Sequence, residues 1–307
     1  MTSYLLRRLG FTVFVVWGAL SLIFVILRLV PGDPAVVYVG PTATAEQLQA
    51  ARERFGLDEP VPLQYLRFLA SASRLDFGTS YRLGRSASGL VLERLPASVE
   101  LAVASTVLAV VLGLPLGVMA AVRRGTAVDR VITQASLVGQ SLPQFWVGLM
   151  LILVFARWLQ WLPSGGVGSW RHLLLPTVSL ALPFLSMVVR LSRSGLLDVL
   201  SQEYVRVARS KGLSERVVLY KHAVRNMLLP LVTVVGLQIA TLIGGAVIVE
   251  TVFAWPGVGR LLIDAVRNRD YPVIQAATAV IALVFVLLNM FVDLLYGLLD
   301  PRVRLEA

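Results

Sequence analysis

Side chains able to make or break bonds are sparse in this chain. Its two histidines, His172 and His222, stand far apart, and there is no cysteine. That removes disulfides, thiolate metal sites and a thiol nucleophile. HExxH, GxSxG, Walker A and GxGxxG patterns are all absent, so no hydrolytic centre and no nucleotide loop of a known kind is written here. What remains is a set of polar residues inside or at the edges of apolar runs: Gln134, Gln140, Gln144, Gln238, Glu250, Asn289 and Asp293. Ionisable groups within a membrane are candidates for a transport path. Glu250 and Asp293 fall at run ends, where water or headgroups reach them. No Asp/Glu/His chain crosses the middle of a run, so a proton relay has no support, and no cluster suits a metal. A conduit fits this inventory better than an enzyme. Its candidate pathway or gate residues are Gln140, Pro143, Gln238, Glu250, Pro256, Gly257 and Asp293.

The elements that must hold these residues are membrane helices. Of the 307 residues 57% are hydrophobic, against about 45–50% in soluble domains, and the mean hydropathy is +0.77. Six charge-free runs approach the roughly 20 residues of a span: Leu9–Leu27, Leu101–Val122, Val131–Ala156, Leu173–Val189, Met227–Val249 and Tyr271–Val292. Backbone polar groups in lipid must be satisfied internally, so these runs predict helices and an all-α polytopic membrane protein. The first run follows Arg7-Arg8 but is too long for a signal-peptide core, and Pro-Gly-Asp-Pro follows it rather than a cleavage site, so it reads as a retained anchor. Several runs carry interior Gly or Pro, among them Gly113, Pro115, Gly117, Gly139, Gly148, Pro183 and Gly236, which suit close helix packing or bending.

The net charge is +10, which raises nucleic acid as a partner, but the charges lie mostly in loops between runs. With a cytoplasmic N-terminus the inside segments carry 15 Lys/Arg in fewer residues than the outside segments, which carry 12. Positive-inside reasoning therefore favours both termini in the cytoplasm. The chain divides into 1–30 (tail and first helix), a polar outside insertion 31–96, and a core 97–307. In the insertion, Thr44-Ala45-Glu46-Gln47 predicts a capping box opening a helix to about Phe55. Pro60–Leu69 predicts a second short amphipathic piece, and 75–80 a turn. The insertion is either a cover over helix ends or part of a docking surface.

Between the fourth and fifth runs lies the longest polar stretch of the C-terminal half, Asp198–Pro230, with six Lys/Arg against three acids. Leu200, Tyr204, Val207 and Ala208 fall on one predicted helix face, and Val217, Tyr220, Val224 and Leu228 on another. Gly212 between them suits a left-handed helix end, and Ser214 a following N-cap. The pattern predicts helix, tight turn, helix on the cytoplasmic side, a shape able to seat in a groove of a separate motor protein.

Tyr204-Val205-Arg206-Val207-Ala208-Arg209-Ser210-Lys211-Gly212-Leu213-Ser214, with Val218-Leu219, His222, Arg225-Asn226 and Leu229-Pro230, resembles the EAA loop of binding-protein-dependent ABC permeases. The match is to the dipeptide/oligopeptide/nickel branch, with Val207, Ser210 and Ala223-Val224 as mild departures. Further landmarks in order are similar to the same branch: Tyr4, Arg7 and Arg8; Pro31-Gly32-Asp33-Pro34; Gly56-Leu57-Asp58-Glu59-Pro60; Asp76-Phe77-Gly78; Ser141-Leu142-Pro143; Leu162-Pro163-Ser164-Gly165-Gly166; Glu250-Thr251-Val252-Phe253; Asp300-Pro301-Arg302. The resemblance implies a type I ABC importer permease fold of six transmembrane helices, closer to the first permease of the branch, in a bacterial or archaeal inner membrane. It implies a second permease, two ATPases and an extracytoplasmic solute-binding protein as partners, with ATP and Mg held by the ATPases and no cofactor on this chain. The solute would be a peptide, nickel or another small solute. A stand-alone channel or secondary carrier is the competing reading. Within the loop 192–230, the residues implied to couple to an ATPase are Glu203, Tyr204, Ala208, Arg209, Lys211 and Gly212. On that reading Ala208 is small so that an ATPase wall can approach, while Arg209 and Lys211 either pair with ATPase acids or serve as ordinary inside charge. The turn Glu250–Gly259 is either a gate near the binding protein or a cap on the bundle.

Overall fold

The computed structural model describes residues 2–29, 33–40 and 42–299, apart from the side chains of 2–9, 37, 54–55, 229, 240, 243 and 293–299. Among the described residues helices are the only regular elements, apart from one isolated bridge, Thr79 to Ser86. The helices are α1 (Thr2–Leu29), α2 (Pro34–Val39), α3 (Ala45–Phe55), α4 (Val61–Ala72), α5 (Ala87–Val122), α6 (Ala127–Ser141), α7 (Gln144–Leu151), α8 (Trp170–Leu200), α9 (Glu203–Ser210), α10 (Glu215–Val217), α11 (Arg225–Val252), α12 (Val258–Arg267) and α13 (Tyr271–Leu299). Two π-helical stretches, Ile152–Trp158 and Val218–Val224, continue α7 and α10. The motif residues Pro31-Gly32 and Asp300-Pro301-Arg302, and the side chains of Tyr4, Arg7 and Arg8, lie outside the described residues.

Among the described residues, four helices are long and apolar enough to cross a membrane: α1 over Gly10–Leu29, α5, α8, and α13 over Tyr271–Val292. Two bent pairs pass together, so the total is six if each pair is one span. The expected unbroken third run is one of these. It divides into α6 and the α7 helix, set at 103° to one another. Pro143 is the physical reason: it holds Leu142 extended (ψ 131°) and stands itself at ψ 132° before α7. The second pair bends by 44° between Leu228 and Pro230, where a proline inside a helix removes one backbone hydrogen bond. The fourth run is longer than expected, because α8 stays helical through Arg190, Arg193 and Asp198 to Leu200.

The chain forms two compact units. The first comprises Met1–Ser98 and Pro256–Leu287. Its core joins Leu20 of α1, Ala72 and Phe77, Ala87, Leu90 and Val91 of α5, Val258 and Ala265 of α12, and Val273, Ile274, Ala277 and Val280 of α13. Thr44 and Gln47 exchange both bonds of the expected capping box, and α3 ends at a left-handed Gly56. Two buried polar ties cross this unit. Asp270, 4% exposed, accepts from the Ser80 hydroxyl at 2.5 Å and the Tyr81 N–H at 3.1 Å. The Ser98 hydroxyl oxygen accepts from the Val258 N–H at 2.9 Å and so satisfies an orphan donor at the start of α12.

The second unit comprises Val99–Trp255 and Leu288–Ala307, and α8 is its centre. Glycines set the contact distances. A Cβ on Gly113 would stand 2.9 Å from Val188, and one on Gly117 2.5 Å from Ser192 and 2.6 Å from the Val189 carbonyl. This four-residue spacing of glycines lets α5 lie directly on α8. Gly139 meets Ser186 in the same manner from α6. Asp129 on α6 accepts from Nε and Nη2 of the Arg193 guanidinium, at 2.6 and 3.0 Å, and from the Gly125 N–H at 2.9 Å.

Candidate functional site

The polar stretch forms as a hinge of two helical pieces. After Leu200 the chain turns at Ser201-Gln202, and α9 begins at Glu203. Leu200 therefore belongs to α8, and the expected face of Leu200, Tyr204, Val207 and Ala208 does not form. The inward residues of α9 are Val205 and Ala208, which pack with Val218 and with Val199 and Leu200 of α8. Ala208 is 7% exposed, so its small side chain admits the body of this same chain rather than an outside wall.

Tyr204 and Val207 point outward instead, with Leu213 beyond the turn. Glu203, Arg209 and Lys211 are exposed beside them. Gly212 has φ +77° and open space where a Cβ would sit, so the position demands the left-handed conformation and not small volume. Ser214 occupies the N-cap position of α10 at ψ 145° but makes no side-chain cap bond.

Across the turn, Arg209 is bound by Glu215 through two bonds, at 2.9 and 3.3 Å. Arg209 thus has a carboxylate partner within this chain. Both groups are exposed, so a double-mutant cycle with Arg209→Ala and Glu215→Ala should give a coupling energy of about 0.5 kcal/mol, falling with added salt. Asn226 donates to the Tyr204 hydroxyl at 3.0 Å and to the His222 carbonyl at 2.8 Å, which fixes α9 against the base of α11.

The second expected face is also rotated. Val218, Ala223 and Met227 are buried, while Tyr220 is 64% exposed. The cause is the π-helical stretch Val218–Val224, whose wider turn moves the inward positions out of a 3.6-residue period.

The candidate pathway residues do not form one cluster. Gln140 accepts from Arg190 of α8 at 2.5 Å. Pro143 makes the elbow between α6 and α7, and the Gln144 carbonyl there accepts from the Ser179 hydroxyl at 3.1 Å. Gln238 donates to the Met187 sulfur at 3.1 Å. Glu250 differs from expectation: it is 1% exposed, on the inward face of α11, and not within reach of water at a span end. Its carbonyl accepts from the Trp255 N–H at 2.8 Å, which closes the turn after α11. Phe253 in that turn is buried against Gly148, and its carbonyl accepts from the Gly166 N–H at 2.8 Å. Pro256 and Gly257 lead into α12, with Gly257 extended at its N-cap. Asp293 lies on α13, its side chain outside the described residues. No group of three or more metal-ligating side chains exists among the described residues.

Sequence reasoning missed three of these ties: Asp129 with Arg193, Gln140 with Arg190, and Tyr204 with Asn226. The first two join partners 64 and 50 residues apart. The available signal was the pair of arginines at i, i+3 just past the fourth apolar run, which only a continued helix would place on one side.

Comparison with known proteins identifies the architecture. Residues 113–305 match the family model described as binding-protein-dependent transport system inner membrane component, and residues 1–102 match the model of its N-terminal part. The chain is 43% identical over 312 residues to a probable peptide ABC transporter permease protein, y4tP, of Sinorhizobium fredii (strain NBRC 101917 / NGR234), covering 99% of this chain and 100% of that one. It is 40% identical over 315 residues to the oligopeptide transport system permease protein AppB of Bacillus subtilis (strain 168), at 99% and 100% coverage. It is also 40% identical over 304 residues to the glutathione transport system permease protein GsiC of Escherichia coli (strain K12), covering 99% of each. The inward-facing MetNI methionine ABC transporter shares the fold at a TM-score of 0.58 and 19% identity, over 69% of this chain and 96% of that one. Matched by these models and relatives over nearly its whole length, the chain belongs to the binding-protein-dependent transport system inner membrane components, and is a permease subunit, a transport component rather than an enzyme.

Proposed function

We propose that this chain forms half of the translocation path of an ATP-driven importer for di- or oligopeptides or a related small solute. A second permease supplies the other half, a solute-binding protein delivers the solute, and two cytoplasmic ATPases hold ATP and Mg. Both termini and α9 face the cytoplasm, as the distribution of Lys and Arg favours. The observation that carries the reading is the division of α9 into two faces. Val205 and Ala208 anchor it to α8 and the π stretch, while Tyr204 and Val207 stand exposed on the other face. Exposed aromatic and aliphatic side chains beside Arg209 and Lys211 suit a shallow groove on a partner. The coupling residues are then Glu203, Tyr204, Arg209, Lys211 and the Gly212 turn, with Ala208 acting from beneath as a spacer. Peptides enter as the solute class because the relatives of y4tP and AppB type carry that description over full-length alignments.

Gly212→Val tests the coupling role. Valine at a left-handed position costs about 1–2 kcal/mol of backbone strain, and it reorients α9 without touching the apolar helices. ATP-driven uptake by the assembled importer in proteoliposomes should fall about tenfold, while insertion and assembly stay intact by size-exclusion chromatography. Uptake at the wild-type rate by an assembled variant would remove the assignment. Uptake by the chain alone, with no ATPase and no ATP, would favour a stand-alone carrier.

A further inference from the structure

Arg190 of α8 is exposed, stands directly after the apolar run Leu173–Val189, and turns back toward the interior of another run. The two arginines of this part of α8 go separate ways. Arg193 reaches Asp129, in the first turn of α6. Arg190 reaches Gln140 instead, at 2.5 Å, and Gln140 stands eleven residues further along α6. At 1.5 Å per residue that is roughly 16 Å of helix. Gln140 lies inside the apolar run Val131–Ala156, just before the Pro143 elbow. A guanidinium at a run end ordinarily extends outward to headgroups and water. One drawn the other way needs a polar surface to receive it. Gln140 is neutral, and among the described residues no carboxylate pairs with Arg190.

Helix geometry defines what lies beside it. At about 100° per residue, Pro183, Met187, Arg190 and Ser194 share a stripe of α8 about 60° wide. All four are exposed or half-buried. Val188 and Ser192, which meet Gly113 and Gly117 of α5, lie on the far side of the helix and are buried. α6 flanks the stripe on one side, through Gln140 and through Gly139 against Ser186. α11 flanks it on the other, through Gln238. That amide donates to the Met187 sulfur at 3.1 Å, and its oxygen accepts from the Thr241 hydroxyl at 3.2 Å. Two of the pathway candidates, Gln140 and Gln238, thus border one stripe without touching each other. The stripe offers a cation, two neutral amides and a thioether.

We infer that Arg190 is the anion-binding residue of the translocation path and takes the C-terminal carboxylate of a peptide solute. The assignment rests on the importer reading, which supplies the peptide. A carboxylate meets a guanidinium through two parallel N–H bonds. Gln140 engages Nη1, which leaves the Nε and Nη2 edge for the solute. Arg193 holds Asp129 with that same edge, at 2.6 and 3.0 Å. A phospholipid phosphate presents similar chemistry but resides at run ends, whereas Gln140 lies within a run.

The assembled importer, in proteoliposomes with its binding protein and ATP, is given radiolabelled Ala-Phe, Ala-Phe-Ala and Ala-Phe-Ala-Phe, and the peptide best transported is carried forward. Arg190→Met should lower its uptake about tenfold, and Arg190→Lys, a point charge without the fork, about threefold. ATP hydrolysis stimulated by the loaded binding protein should stay near the wild-type rate, so that less solute moves per ATP. A merely structural role would lower both together. Size-exclusion chromatography checks that the variants assemble. A second measurement needs no variant. Phenylglyoxal adds to guanidinium groups, and mass spectrometry follows its addition at Arg190 in the purified wild-type complex without ATP. The free peptide at millimolar concentration should slow that addition several-fold, and its C-terminal amide should not. Wild-type uptake by an assembled Arg190→Met variant, parallel loss of uptake and ATP hydrolysis, equal labelling with acid and amide, or protection by phosphatidylglycerol alone would each overturn the inference. So would a guanidinium already shielded in the complex without solute, since an acid of the second permease would then hold it. ATP-driven uptake without protection at Arg190 sinks this assignment alone, protection with ATP-independent uptake sinks the importer reading alone, and uptake of none of the peptides sinks both.

Discussion

Gly117→Ala is expected to destabilise the protein by about 3 kcal/mol, whereas the same change at Gly244 stabilises it by up to about 1 kcal/mol. The two differ only in what the added methyl meets. At Gly117 it would lie 2.5 Å from the Ser192 Cβ and 2.6 Å from the Val189 carbonyl, so two helix backbones must part. In lipid no hydrophobic force drives helices together, and close backbone packing is what holds them. At Gly244 nothing lies within 4 Å, and alanine contributes only its better helix propensity. Unfolding in mixed micelles, followed by circular dichroism, measures both. Equal shifts at the two positions would show that α5 and α8 do not rest on one another at Gly117.

The second large effect belongs to Asp270. Replacing it with alanine leaves the buried Ser80 hydroxyl and the Tyr81 N–H without their acceptor. Bonds to a charged group contribute about 1.5–3 kcal/mol each, so a loss of about 3 kcal/mol is expected for the pair. Asp270→Asn, which keeps one carbonyl oxygen, should lose about half of that. Burial, with the Asp270 charge second, also raises the Tyr81 phenol above its ordinary range. Tyr81 therefore stays protonated in the Asp270→Ala variant at neutral pH, and the loss should be flat between mildly acidic and mildly alkaline conditions. A loss that appears only in alkali would assign the effect to Tyr81 instead.

Much of this was legible in the sequence because apolar run length and local turn chemistry act over few residues. Five of the six runs lie wholly in helix, and the third is interrupted only at Leu142-Pro143. The Thr44 capping box and the left-handed Gly212 stand where side-chain type and spacing put them. What was not legible depends on chain geometry that periodicity assumes constant. Pro143, an interior proline, suited packing or bending, but residue type alone did not give the 103° at which it sets α6 and α7. The inward face of α9 was misassigned because α8 ends at Leu200 and the two segments do not share a helix axis. Glu250 sits at the end of an apolar run, and run ends read as wet; tertiary packing buries it. The polar neighbours of the open stripe on α8 come from α6 and α11, and no linear pattern joins them to Arg190.

The π-helical stretch Val218–Val224 also has a meaning for anyone transplanting this loop. Each residue advances an α-helix by about 100°, so a segment that holds one extra residue per turn stores a rotation in its length. A chimaera that imports the stretch from Ser214 to Arg225 entire keeps Asn226 facing Tyr204. One trimmed by a single residue would swing Asn226 about a quarter-turn away, with every apolar side chain still present and the sequence still aligned by eye. For this hinge, residue count is a coordinate, and sequence identity alone does not carry it.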